Sequence, residues 1–217
     1  MSAIKLTADS GGGTVELKAP ATTTSNAAVV FKLPVADGTS GQALTTNASG
    51  QLAFSTIAAG ISMAETWRLT SNITNNGSEN VITANLSKAS TPSGYGKVGT
   101  ETMTESSGVF TFPSTGIYYI TATSKQYSLG SGTEGNGNAI LINTTADNSN
   151  YSRASYGSQA VPTTYDYGSA TCHLIFDVTD VSNYKLRFSH SGTSGSVVAG
   201  NANDNQTHFL FMKLGDT

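Results

Sequence analysis

Gly130-Ser131-Gly132-Thr133-Glu134-Gly135 has the glycine spacing of a dinucleotide-binding loop. That chemistry needs the glycines between a strand and a helix, so that a phosphate meets the helix N-terminus. Here Asn136-Gly137-Asn138 leads into a further strand-like run, and the segment reads as a hairpin loop. Gly94-Tyr95-Gly96-Lys97 ends like a phosphate loop, but the spaced first glycine is missing and Val98 stands where a metal-binding hydroxyl is needed. It reads as a turn. Ser194, in Gly192-Thr193-Ser194-Gly195, lacks the strand-turn-helix setting of a nucleophile elbow.

The three histidines, His173, His190 and His208, lie in strand-like runs, no two of them at short metal-ligand spacing. Core or edge positions are expected for them, although copies gathered about a three-fold axis could hold zinc or an anion. The 14 Asp and Glu residues include no close pair in an aromatic setting, as glycoside hydrolysis would require. Asp147-Asn148-Ser149-Asn150 and Asn201-Ala202-Asn203-Asp204 cluster hard oxygens of the kind calcium takes, without the spacing of a calcium loop. Polar turns are expected there. The single cysteine, Cys172, sits in an apolar run and is expected to be buried, and it excludes an intrachain disulfide. No catalytic residue, cofactor or metal ligand is assigned, and the chain is expected not to be an enzyme.

Residues 150–167 have a different character. Tyr151, Arg153, Tyr156, Tyr165 and Tyr167 stand among Ser, Gly and Thr. Rigid rings give contact area at low entropic cost while small neighbours adapt, and aromatic faces suit sugar rings. These five are the candidate contact residues. Packing at the end of the fold or between subunits is the competing reading.

Such loops need a scaffold, and the composition specifies which kind. Charged residues make up 12% of the 217, about half the usual ~25%. Helix surfaces need Glu, Lys, Arg and Ala in bulk, whereas 23 glycines with abundant Ser, Thr and Asn suit strands joined by tight turns. A net charge of -3 and scattered lysines and arginines give no footprint for nucleic acid. The opening Met1-Ser2-Ala3-Ile4-Lys5 lacks the apolar core of a signal peptide. No apolar run approaches the roughly 20 residues of a membrane helix. Synthesis in a cytosol is expected, with neither nucleic-acid binding nor membrane insertion.

Short alternating runs around Ile4, Val15, Val29 to Leu33 and Leu52 to Phe54 are broken by Gly11-Gly12-Gly13, Pro20, Pro34, Asp37-Gly38 and Asn47-Ala48-Ser49-Gly50. Strands this short bury little surface alone and suit an attachment module. Ile57, Ala58, Ala59, Ile61, Met63 and Ala64 offer one or two helical turns, weakened by Gly60. The division expected is a small β-rich module at 1–55, a linker at 56–63 and an all-β domain at 64–217. In the last, strands are expected at 67–72, 81–86, 95–99, 101–105, 108–112, 117–127, 138–143, 170–178, 184–190, 197–198 and 208–214. Their spacing, with no helical interludes, indicates a sandwich or jelly roll.

Ser107-Gly108-Val109-Phe110-Thr111-Phe112-Pro113-Ser114-Thr115-Gly116-Ile117-Tyr118-Tyr119-Ile120 resembles the strand pair of tumour necrosis factor and complement globular-head jelly rolls. Thr207 to Leu214 resembles the last core strand of the same families. The resemblance covers roughly residues 64–214. It implies a C-terminal jelly-roll sandwich forming a homotrimer, with Trp67, Phe110, Phe112, Tyr118, Ile120, Phe176, Phe209 and Phe211 as candidate core. The glycines would flank a turn set by Pro113, with Phe110, Phe112, Tyr118 and Ile120 alternating onto one face.

Thr14 to Pro20, then Leu33-Pro34-Val35-Ala36-Asp37-Gly38-Thr39-Ser40-Gly41-Gln42-Ala43-Leu44, then Gly50-Gln51-Leu52, is similar to a segment of phage tail fibres. Fibre-like virion proteins of marine phages, cyanophages included, carry it before variable C-terminal domains. This resemblance implies a virion-surface protein assembled in the host cytoplasm and docked on other virion proteins. Leu17, Phe31, Leu33, Leu44, Leu52 and Phe54 are the candidate docking residues. Two roles follow from it: a tail fibre or knob touching host-surface polysaccharide, or a capsid decoration protein; the alternative outside phages is a lectin-like binding module.

Overall fold

The computed structural model describes residues 3–7, 14–18, 23, 28, 30, 32–46, 49, 51–56, 60–90, 96–128, 135–161 and 167–217. Among them there is no helix, and the chain divides into two compact units, Met1–Ala58 and Ala59–Thr217. The first unit holds two antiparallel pairs: β1 (Ala3–Thr7) with β2 (Thr14–Lys18), and β3 (Gln42–Thr46) with β4 (Leu52–Thr56). Five-residue strands in isolated pairs leave most of their surface to water, and Leu44 and Phe54 remain 53% and 40% exposed.

The second unit is a jelly roll of two facing sheets. Its strands are β5 (Met63–Leu69), β6 (Ile73–Thr74), β7 (Asn80–Val81), β8 (Leu86–Lys88), β9 (Lys97–Val98), β10 (Thr104–Ser106) and β11 (Val109–Thr111). They continue as β12 (Gly116–Tyr127), β13 (Gly135–Thr145), β14 (Ser152–Val161), β15 (Tyr167–Val178), β16 (Lys185–Ser191), β17 (Val197–Val198) and β18 (His208–Gly215). One sheet runs β8-β5-β18-β12-β15, with β9 beside β5, β17 beside the far end of β12, and β6 beside β17. The other runs β10-β11-β16-β13-β14, with β7 also on β16. The chain crosses between sheets from β11 to β12, β12 to β13, β14 to β15 and β15 to β16. Spatial neighbours are therefore mostly distant in sequence, which is the jelly-roll arrangement.

The turn chemistry is specific at two glycines. Ser107 and Gly108 both have positive φ, at 51° and 85°, and form the two-residue hairpin between β10 and β11. A Cβ on Gly108 would lie 2.4 Å from the Ile82 carbonyl oxygen. Gly116 opens β12 at φ 145°, where a Cβ would strike Lys213 and the Gly215 carbonyl. Strict alternation along β12 then sends Tyr118, Ile120 and Ala122 inward to full burial. Trp67, Phe110, Phe112, Phe209 and Phe211 join them, and Phe176 packs partly buried against the same core. Phe110 stands 5.2 Å from Trp67, 5.3 Å from Phe188 and 5.2 Å from Phe211, and so joins β5 and β18 of one sheet to β16 of its own.

Three sequence expectations are corrected. The strand expected at 81–86 is instead the end of β7 and the start of β8, which belong to different sheets, with the chain turning between them through Asn85 at φ 60°. Met63 and Ala64 do not extend a helical turn; they begin β5, paired with Lys213 and Met212, because Met63 alternates with Glu65 and Trp67 into the interior. Ser152–Val161 is not a loop but the edge strand β14, paired along β13. Its inward positions Ser155 and Gly157 lie close against the β15 backbone, where only small residues fit, so it lacks the apolar alternation that marks β12.

Candidate functional site

The outer face of the β5-β18-β12-β15 sheet is apolar at one end. Ile175 on β15 lies opposite Tyr119 on β12, which lies opposite Met212 on β18, itself opposite Ala64 on β5. The next row is His173, Thr121, Leu210 and Thr66. Ile175 is 64% exposed and Leu214 53%, while Ile117, Tyr119, Leu210 and Met212 are half-buried. At the other end the rows turn polar: Thr171 opposite Thr123, Ser169 opposite Lys125, Tyr167 opposite Tyr127. An antiparallel sheet with one solvated face normally presents polar side chains there, so the apolar end is the departure.

The outer face of the second sheet is built on a row of three residues across three strands. Arg153 of β14 and Arg187 of β16 each lie opposite Asn143 of β13. The Glu79 carboxylate bridges part of the row, accepting from Asn143 Nδ2 at 3.1 Å and from Arg153 Nη2 at 2.8 Å. Burial pushes the Glu79 carboxyl up, but the bonds from Arg153 and Asn143 outweigh it and hold it below the usual value. The Arg153 guanidinium lies 5.3 Å from the Tyr156 ring, and that of Arg187 lies 4.2 Å from the Tyr151 ring.

The five candidate contact residues therefore do not form one surface. Tyr151, Arg153 and Tyr156 share the outer face of the second sheet. Tyr167, on the first sheet, stands 5.4 Å from Tyr127 with the Lys125 ammonium 4.5 Å from its ring. Tyr165 lies outside the described residues. Sequence reading missed Glu79, Asn143 and Arg187. The alternation of Lys185, Arg187 and Ser189 against Leu186 and Phe188 was the available signal for Arg187. Of the candidate docking residues, Leu33 is 77% exposed, Leu44 and Phe54 are also exposed, and Leu52 is half-buried. The Leu17 side chain and Phe31 lie outside what is described.

The polar clusters weighed for chemistry resolve into structure. The Asp147 carboxylate accepts from Thr145 Oγ1, Ser149 N, Asn150 N and Asn150 Nδ2, which fills it with donors and holds its pKa well below the ordinary range. Asn201 and Asp204 share a turn hydrogen bond of 3.3 Å. Cys172 is buried, and desolvation pushes its thiol up to about 11. The glycine motif at 130–135 lies mostly outside the described residues and runs into strand β13. Ser194 and Gly195 turn the chain between β16 and β17, with Ser196 N donating to the Thr193 carbonyl.

His190 is buried, with Nδ1 2.6 Å from Asn75 Oδ1, and Asn75 Nδ2 in turn donates to Ser196 Oγ at 2.8 Å. Desolvation lowers its pKa below the ordinary 6.5, and the same cause lowers that of His208. A depressed folded value means that the unfolded chain binds the proton more readily. The stabilisation is thus complete above the unfolded value and is lost as pH falls through the folded one. Melting temperature is expected to hold steady above about pH 7 and fall from ~pH 6.5 downward. His190→Gln should flatten the upper part of that fall, as read by scanning calorimetry from pH 8 to 5.

No protein-family model and no curated protein matches the sequence. Solved structures with a similar course of chain include murine APRIL at pH 5.0, at 8% identity and TM-score 0.49, covering 70% of this chain and 98% of that one. Eiger TNF from S. frugiperda is 12% identical at TM-score 0.48, covering 71% and 93%. PRD1 vertex protein P5 is 16% identical at TM-score 0.42, covering 72% and 100%. The strand order of the two sheets makes the second unit a jelly roll.

Proposed function

We propose that this chain is a non-enzymatic structural protein of a phage virion surface, trimeric through its jelly roll and docked on the particle by residues 1–55. The observation that carries the reading is the apolar end of the β5-β18-β12-β15 sheet, where Ile175, Tyr119, Met212, Leu210 and Leu214 face outward together. Further copies of the same chain are the occupant that the jelly-roll resemblance implies for such a face. The fibre-like segment ending at Leu52 supports docking, and so do Leu33, Val35, Leu44 and Phe54, exposed apolar side chains of the first unit. The role is that of a tail fibre or knob, assembled in the host cytoplasm and displayed toward the host surface.

Gold-labelled antibody against the jelly roll, applied to intact particles, tests the reading. Label at the tail is expected. Label on the head would assign the protein to capsid decoration instead, and absence from purified virions would overturn both. Residues 56–217 alone, which keep Met63 and all of β5, are expected to stay trimeric while failing to incorporate into particles.

A further inference from the structure

Arg153 and Arg187 occupy one row of the outer face of the second sheet, and only one of them is compensated. The Glu79 carboxylate is committed to Arg153 and Asn143. Among the described residues Arg187 pairs with no carboxylate, and its Nε is buried without a hydrogen-bond partner. The Nε itself is closed to solvent, so an anion would meet the accessible Nη end of this half-buried guanidinium, whose charge no carboxylate offsets. Its planar fork matches a carboxylate with two parallel hydrogen bonds.

Aromatic surface accompanies this charge. Tyr151 lies under Arg187, and Tyr156, 48% exposed, lies beside Arg153. Ala154 and Ser158 beside Tyr156 on β14 are small and exposed, so that ring is open to a flat ligand. A pyranose ring has an apolar face for tyrosine and hydroxyls for the rim. A uronic or sialic acid adds the carboxylate that Arg187 lacks.

We propose that the Arg187–Tyr151 and Arg153–Tyr156 pairs form a binding site for a carboxylate-bearing saccharide of an acidic surface polysaccharide. The proposal names the ligand class for the host contact in the reading above, and it rests on that reading only for the second sheet facing outward. Arg187 is the anchor and Tyr156 the platform; Arg153, held by Glu79, positions Tyr156.

The test uses the full-length protein and two probes, sialyllactose and tetragalacturonate, followed by calorimetric titration at low salt. Saturable binding is expected, weakened at least tenfold when the tetragalacturonate carboxylates are methyl-esterified. Arg187→Met, which keeps a chain on the Tyr151 ring without the charge, is expected to weaken binding at least tenfold while leaving assembly mass and melting temperature unchanged. Tyr156→Ala should weaken it severalfold. No binding of either probe, equal binding of the esterified form, or tighter binding of tetraglutamate would each overturn the site. None of these results would alter particle labelling or assembly mass, so the two readings fail separately.

Discussion

Phe110→Ala is expected to destabilise the jelly roll by about 3–5 kcal/mol, enough to unfold much of the chain at 37 °C. Phe110 is fully buried, and its ring meets Trp67 from β5, Phe211 from β18 and Phe188 from β16. Removing it leaves a void between the sheets that neither sheet can close, because each neighbour is itself fixed by strand pairing. Phe188 and Phe209, stacked at 4.0 Å, are the nearest support and would lose one side of their packing. Urea unfolding followed through Trp67, the only tryptophan in the chain, reads the loss directly because that indole sits against the deleted ring. Phe110→Leu keeps most of the volume and should cost about 1–2 kcal/mol. A loss below 1 kcal/mol for the alanine variant would mean that the sheets do not close on this residue.

The same residue shows why the architecture was legible from sequence. Phe110, Phe112, Tyr118 and Ile120 alternate on either side of a Pro-Ser-Thr-Gly turn, and Gly108 and Gly116 occupy backbone positions where a Cβ collides. Pattern, turn and glycine agree there, so the local sequence suffices. β12 and β18 were plain for a related reason, being central strands with one face in the core. β14 was not plain. Its inward positions Ser155 and Gly157 lie close against the β15 backbone, and its Ser, Gly and Ala content resembles that of a loop.

The candidate site was harder to read because a site assembled across strands leaves no spacing in sequence. Arg153 and Arg187 are far apart along the chain, and only the shared opposition to Asn143 sets them in one row. Glu79 joins from a separate loop. Tyr167, close to Tyr156 in sequence, is carried to the other sheet by the crossing from β14 to β15. Composition pointed to one tyrosine-rich segment, yet the topology decides which of its tyrosines share a face.

The proposed assembly face permits a sharper test, because the same substitution has different consequences in a monomer and in a trimer. Ile175→Glu places a carboxylate on an exposed position of β15, and in a monomer it should change stability by less than about 0.5 kcal/mol. In a trimer closed through this face, the carboxylate would be desolvated beside Tyr119 and Met212, adding to the negative charge of Asp177 on the same face of β15. Burying an unpaired charge costs several kcal/mol per site, before mutual repulsion is added. The mass in solution is therefore expected to fall from about three times 22.3 kDa to a single chain at micromolar concentration, with circular dichroism unchanged. Ser158→Glu, on the exposed edge strand of the other sheet, is the matched control and should leave the trimer intact. If the wild-type chain is monomeric, or if Ile175→Glu remains trimeric, the apolar end of the β5-β18-β12-β15 sheet is not the assembly surface. Its outward Ile175, Tyr119 and Met212 would then require another partner.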